Sequence, residues 1–344
     1  MSKVIAGMDW QELYSFASKQ ALLGLCFECI ERLGKEYPEE LKQNPIGREL
    51  LMTWMGKAQQ IRRQNMKVNA VAGKLFAMLR VDGMRCCVLK GQGNALMYPN
   101  PYSRTPGDID VWINASRERI MEYAQKRFEL GDDIRLQHLE TSLDGVPVEL
   151  HFFPCSMNNP IYHARLQKWF KRNADLQCSN VVSLPDGIGE IAIPTTAFNV
   201  VYQLTHLYHH FFDEGIGMRQ IIDYYYVVCD FYKVYQNSSN PSVSLSKGSS
   251  TFSPSPSSSG SRDVTALWCS EPLRFMVGGA SKPSPGCAGW DRLDTTGDTS
   301  SVSCSSASTA LDVVQRELKY LGLWKFAGAV MYVLKIGSLR ASAG

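Results

Sequence analysis

Two aspartates separated by one residue, Asp108 and Asp110, are the side chains in this sequence best placed to do chemistry. They lie in the run Asp108-Ile109-Asp110-Val111-Trp112-Ile113, whose strict alternation reads as a β-strand. Successive strand side chains point to opposite faces, so the two carboxylates share one face while Ile109, Val111 and Ile113 pack the other. Two such charges a few ångströms apart repel by about 1 kcal/mol in water and about 4 kcal/mol at an effective dielectric of 20. A divalent cation reverses that sign, and Mg²⁺ typically sits between one or two carboxylates and a substrate's phosphates. Upstream, Lys90-Gly91-Gln92-Gly93 precedes a helical start at Asn94-Ala95-Leu96. Gly91 and Gly93 let the backbone pass close to a ligand, and such a turn at a helix start receives phosphate. The pattern points to a nucleotide phosphate site with metal.

These residues need a sheet to hold them. Cys86 to Leu89 is a short apolar run between Asp82-Gly83 and Lys90-Gly91, as a buried strand ending in a tight turn reads. Ile134–Leu143 and Val146–Phe153 face each other across Asp144-Gly145, a strong two-residue hairpin signal. In the second run Val148, Leu150 and Phe152 share one face, and Glu149 and His151 the other. Glu149 is either a third acid beside Asp108 and Asp110 or an exposed residue on an edge strand.

Helices flank this core. Residues 9–81 carry helical apolar stripes, with a long pattern from about Gly47 to Arg80. Arg117–Phe128 reads as a helix capped by Ser116, and 181–193 as a short hairpin ending at Pro194. A helix follows Pro194, in which Gln203, His206 and His210 share a stripe. His206 and His210 have the spacing of a zinc pair, but the glutamate of a metalloprotease motif is missing; a hydrogen-bonded His206 near a substrate cleft fits better. Arg219 and Asp223 stand four apart on the next helix, so Arg219 either pairs with Asp223 or offers a planar contact to phosphate. Residues 237–308 are Ser/Pro-rich and without period, a composition expected to be disordered, and helical pattern returns at Ala310. The expected organisation is a helical region over 1–84, a core over 85–193, a second helical region over 194–236 and 309–344, and an insert over 237–308.

Composition narrows the function classes. At 344 residues, with 44% hydrophobic and 20% charged residues, the chain can bury a sizeable core. A net charge of +3 is too small to make nucleic acid the main partner. No run of 18 apolar residues predicts a membrane span, and the N-terminus lacks the apolar core of a signal peptide. Ten scattered cysteines, several in apolar runs, suit a reducing compartment, and the cytoplasm is the expected location.

At Leu89-Lys90-Gly91, Tyr98-Pro99-Asn100-Pro101, Arg104, Asp108-Ile109-Asp110 and Val148-Glu149-Leu150-His151 the sequence resembles a bacterial family of uncharacterised nucleotidyltransferases within the polymerase-β-like superfold. One departure is Gly91-Gln92-Gly93, where the superfold usually has adjacent Gly-Gly or Gly-Ser. The resemblance implies an α+β fold with a small mixed sheet between N- and C-terminal helical segments. It further implies a metal site of Asp108, Asp110 and Glu149 holding two Mg²⁺ ions, and a cleft bordered by His206, Arg219 and Asp223. The expected activity is transfer of a nucleoside monophosphate from an NTP such as ATP to an unknown acceptor, which could be a small molecule, peptide, protein or RNA. Lys90, Gly91, Gly93, Arg104 and Arg219 would contact the nucleotide. Asp110→Asn is expected to abolish turnover and leave the fold intact. The alternatives are an inactive nucleotide-sensing or interaction module of the same fold, and a γ-phosphoryl transferase.

Overall fold

A computed structural model describes residues 2–128, 135–213, 215–239 and 310–342. Ile134, at the expected start of the first hairpin strand, and the Ser/Pro-rich segment beyond Ser239 lie outside the described residues. The chain opens with helices α1 (Ser2–Ala6), α2 (Trp10–Lys19), α3 (Leu23–Glu36), α4 (Pro38–Gln43) and α5 (Arg48–Val81). Then come β1 (Cys86–Val88), α6 (Gln92–Ala95), β2 (Ile109–Ile113), α7 (Arg117–Arg127), β3 (His138–Leu143) and β4 (Val146–His151). The rest comprises α8 (Pro160–Ser179), β5 (Val181–Ser183), β6 (Glu190–Ala192), α9 (Thr196–Asp213), α10 (Met218–Ser239), α11 (Ala310–Tyr320) and α12 (Trp324–Ser342). This is the α+β architecture expected from the sequence.

Local chemistry sets several boundaries. The Ser116 hydroxyl accepts from the Arg119 amide and starts α7, and the Asn159 side chain caps α8 with Pro160 in its first turn. Asp144 and Gly145 both adopt positive φ, 51° and 72°, as a two-residue hairpin turn between β3 and β4 requires. Gly322, with φ of 72°, interrupts what reads as one C-terminal helix and separates α11 from α12.

The sheet has the order β1-β2-β4-β3. Its centre is a parallel pair, β2 with β4, flanked by antiparallel β1 and β3. A parallel pair needs a crossover, and α7 supplies it. One face of the sheet (Val88, Ile109, Val111, Val148, Leu150) packs on the second half of α5 through Val68, Leu75 and Leu79, and on α7 through Ile120 and Ala124. On the other face, Cys87, Leu89 and Trp112 meet α8 and α9, where Trp169 and Phe198 stack with centroids 4.3 Å apart. A third cluster, including Trp10, Phe27 and Trp54, joins the N-terminal helices to the first half of α5. The aromatic stack fixes α9 over the sheet face that carries Asp110.

Candidate active site

The register of the sheet assembles the acids. Asp110 on β2 lies directly opposite Glu149 on β4 in the parallel pair. Asp108 precedes β2 by one residue and reaches the same face from the strand's mouth. One carboxylate oxygen from each of Asp108, Asp110 and Glu149 lies within 4.8 Å of the others. They line a cavity of about 480 Å³ whose other walls include Lys90, Arg219, Gln203 and His206.

Each charge in the site has a visible cause for its state. Burial acts to raise the pKa of Asp110, but Lys90, 2.8 Å away, and the His151 ring hold it well below the usual carboxylate range. Burial and then the neighbouring Asp110 push Asp108 up to about 6, although the residue as a whole stays exposed at the cavity mouth. Glu149 is also resisted by burial, yet its hydrogen bond to His151 leaves it below its ordinary value. Burial lowers Lys90, and the attraction of Asp110 more than restores it. His206 is held well below its ordinary value, first by burial and then by Lys90, so it is neutral.

The glycine turn differs in detail from the expectation. Gly91 has φ of 53° and ψ of −108°, a conformation closed to side chains with a Cβ, and it lines the cavity. Gly93 is buried and is not among the residues that line the cavity. Its amide donates to the Lys90 carbonyl at 3.0 Å, and a Cβ there would stand 3.0 Å from Ile193 Cγ2, so its smallness serves packing. The turn is tied to α9 from below: Gln203 Nε2 donates to the Leu89 carbonyl at 3.3 Å, and Asn199 Nδ2 to Asn94 Oδ1 at 3.3 Å.

The Arg219–Asp223 pair suggested by helical spacing is replaced by a longer-range one. Asp223 receives Arg104 Nε and Nη2, both at 2.8 Å, and the Tyr98 hydroxyl at 2.7 Å. Arg104 thereby forms a buried strut between the loop before β2 and α10, and it also lines the cavity. Arg219 donates to the Thr105 carbonyl at 3.3 Å and stays on the cavity wall, its pKa lowered by burial and then by the charge of Arg104. Asp110 is the partner of both Lys90 and His151, so its replacement is expected to disturb the fold as well as the site.

Two further site residues had no role in the sequence reading. His151 places Nε2 at 3.1 Å from both Asp110 Oδ1 and Glu149 Oε2. His138 on β3 lies opposite His151 and stands 3.5 Å from Glu149 Oε2. A signal existed for both. His151 follows Glu149 by two on a strand, and counting outward from the Asp144–Gly145 turn pairs His138 with His151.

Three negative groups, offset by Lys90 and His151, leave a net attraction for a cation. Donors that are all carboxylate oxygens suit a hard ion such as Mg²⁺, so the residues fit the metal that the resemblance implies. No curated protein matches the chain. Among solved structures, an antigenic nucleotidyltransferase-like protein from Paracoccidioides brasiliensis is similar at 16% identity, over 47% of this chain and 75% of that one, with a TM-score of 0.32. The family described as uncharacterised nucleotidyltransferase matches residues 6–234, more than half of the sequence, and the chain belongs to that family.

Proposed function

We propose that the protein transfers a nucleoside monophosphate from an NTP to an acceptor hydroxyl or similar nucleophile, with Mg²⁺ held by Asp108, Asp110 and Glu149. The observation that carries this reading is the meeting of those three carboxylates, from two separate segments, beside Lys90 in one cavity. When bound, Mg²⁺ would offset charge on the triphosphate and on the attacking and leaving oxygens of an in-line displacement.

The chain's own residues do the rest. The acceptor oxygen attacks the α-phosphorus, the bond from that phosphorus to the bridging oxygen breaks, pyrophosphate departs, and the acceptor proton passes to solvent. Lys90 keeps Asp110 ionised and supplies positive charge to the cavity wall. Gly91 allows the turn that brings Lys90 there, and the Gln203 and Asn199 contacts prevent that turn from drifting. Arg219 presents a guanidinium to the same space and is the planar phosphate contact in this reading.

Incubation with α-labelled NTP, Mg²⁺ and cell extract tests the proposal. Label on an acceptor that is lost with Asp108→Asn is the expected result. Label that follows the γ-phosphate instead would indicate phosphoryl transfer. NTP binding without pyrophosphate release would leave a sensing module.

A further inference from the structure

Five of the protein's six histidines line the cavity that holds the acids. Two of them, His138 and His151, form a second potential donor set with Glu149, and the nitrogen and oxygen atoms of this trio also lie within 4.8 Å of one another. The positions follow from backbone pairing. His138 and His151 are opposite each other on β3 and β4, with ring centroids 5.0 Å apart, and Glu149 is two residues back on the same face. His151 Nε2 is 3.1 Å and His138 Nδ1 is 3.5 Å from the same oxygen, Glu149 Oε2.

His138 supplies an independent observation. Both of its ring nitrogens are buried and neither has a hydrogen-bond partner, the approaches being 3.5 Å to Glu149 and 3.7 Å to Glu140. A buried ring nitrogen with no hydrogen bond is costly, and a cation would take the lone pair of the unprotonated one. His151 is propped from behind by the Gln137 amide, 3.4 Å from Nδ1, which is itself anchored to the Pro154 carbonyl at 3.1 Å.

We infer that His138, Glu149 and His151 form a second cation site, selective for a borderline first-row divalent ion such as Zn²⁺, adjoining the all-carboxylate site and sharing Glu149 with it. Two imidazoles and one carboxylate disfavour Mg²⁺, which takes oxygen ligands, and suit zinc, which keeps a further position open when three protein groups bind it. All three residues line the cavity, so that open position is available to an oxygen or nitrogen of the acceptor. The inference rests on the proposed function only for this last assignment; the binding of the ion stands apart from it.

The test uses full-length protein stripped of metal and then saturated with Mg²⁺, so that the all-carboxylate site is filled. Zinc is added against a chromophoric chelator. A single zinc equivalent is expected to bind, and His138→Gln should weaken it by at least about a hundredfold, since loss of a supporting residue alone costs 10- to 100-fold. X-ray absorption at the zinc edge of the unaltered protein gives a readout independent of how the variant folds, with imidazole scattering expected. No zinc uptake under Mg²⁺, unchanged affinity in a folded His138→Gln, or an oxygen-only zinc shell would overturn the inference. None of these results bears on nucleotidyl transfer, which is read separately from labelled acceptor with Mg²⁺ and no zinc.

Discussion

Replacing Arg104 and Arg219 one at a time by Met separates the two possible partners of Asp223. Arg104 and Asp223 have side chains only 5% and 8% exposed and share two hydrogen bonds of 2.8 Å. Arg104→Met leaves a buried carboxylate with the Tyr98 hydroxyl as its remaining neutral donor. Breaking a buried pair in this way costs about 3–5 kcal/mol, against a total stability of about 5–15 kcal/mol. With a urea m-value of about 3 kcal/mol/M, the midpoint should fall by about 1–1.7 M. Arg219 donates to the Thr105 carbonyl at 3.3 Å, so Arg219→Met should cost about 1 kcal/mol or less. Urea melts followed by circular dichroism give both values. Replacing the whole polar cluster together (Arg104→Met, Asp223→Leu, Tyr98→Phe) should recover much of the loss, because no buried charge is then left alone. Equal costs for the two single variants, or a loss below about 1 kcal/mol for Arg104→Met, would refute the strut.

Asp108→Asn should abolish transfer and leave the metal-free protein at pH 7.5 at least as stable as before, because it removes a carboxylate that burial and Asp110 disfavour in its ionised form, whereas Asp110→Asn should lose about 1–3 kcal/mol because Lys90 and His151 lose a buried partner; thermal melts of the two variants decide this. The Asp108 pKa near 6 makes a proton compete with metal, so Mg²⁺-induced stabilisation should be full at pH 7.5 and shrink as pH falls through 6, as measured by thermal shift. The same raised pKa means that the metal-free fold holds Asp108's favourable contribution below about pH 4 and loses it as pH rises through about 6. Gly91→Ala forces a Cβ into positive φ and should cost about 1–3 kcal/mol and displace Lys90, lowering NTP affinity in a titration.

None of the described helices is long and apolar enough to cross a membrane. The seven cysteines described, Cys26 and Cys29 among them, are free, and burial raises the pKa of those two thiols, which suits packing rather than reactivity.

What the sequence determined by itself was everything that depends on short range. Alternation placed Asp108 and Asp110 on one face, Asp144-Gly145 built its hairpin, and Ser116 and Pro160 began their helices where the residue types demand. The Asp-x-Asp strand and the Val-Glu-Leu-His strand also carried the family signal, so the three acids were legible before any coordinates. Tertiary structure decided which groups meet across the chain. Helical spacing makes Arg219–Asp223 the cheapest pair to form, but a carboxylate buried by packing takes the partner whose approach satisfies the most hydrogen bonds, and Arg104 arrives with two, 119 residues away. That Ile193 packs against Gly93 was likewise visible only in the tertiary structure. The pairing of Glu149 with Asp110 depends on β4 lying parallel beside β2, a crossover that periodicity cannot report because it records which face a residue occupies and not which strand lies beside it.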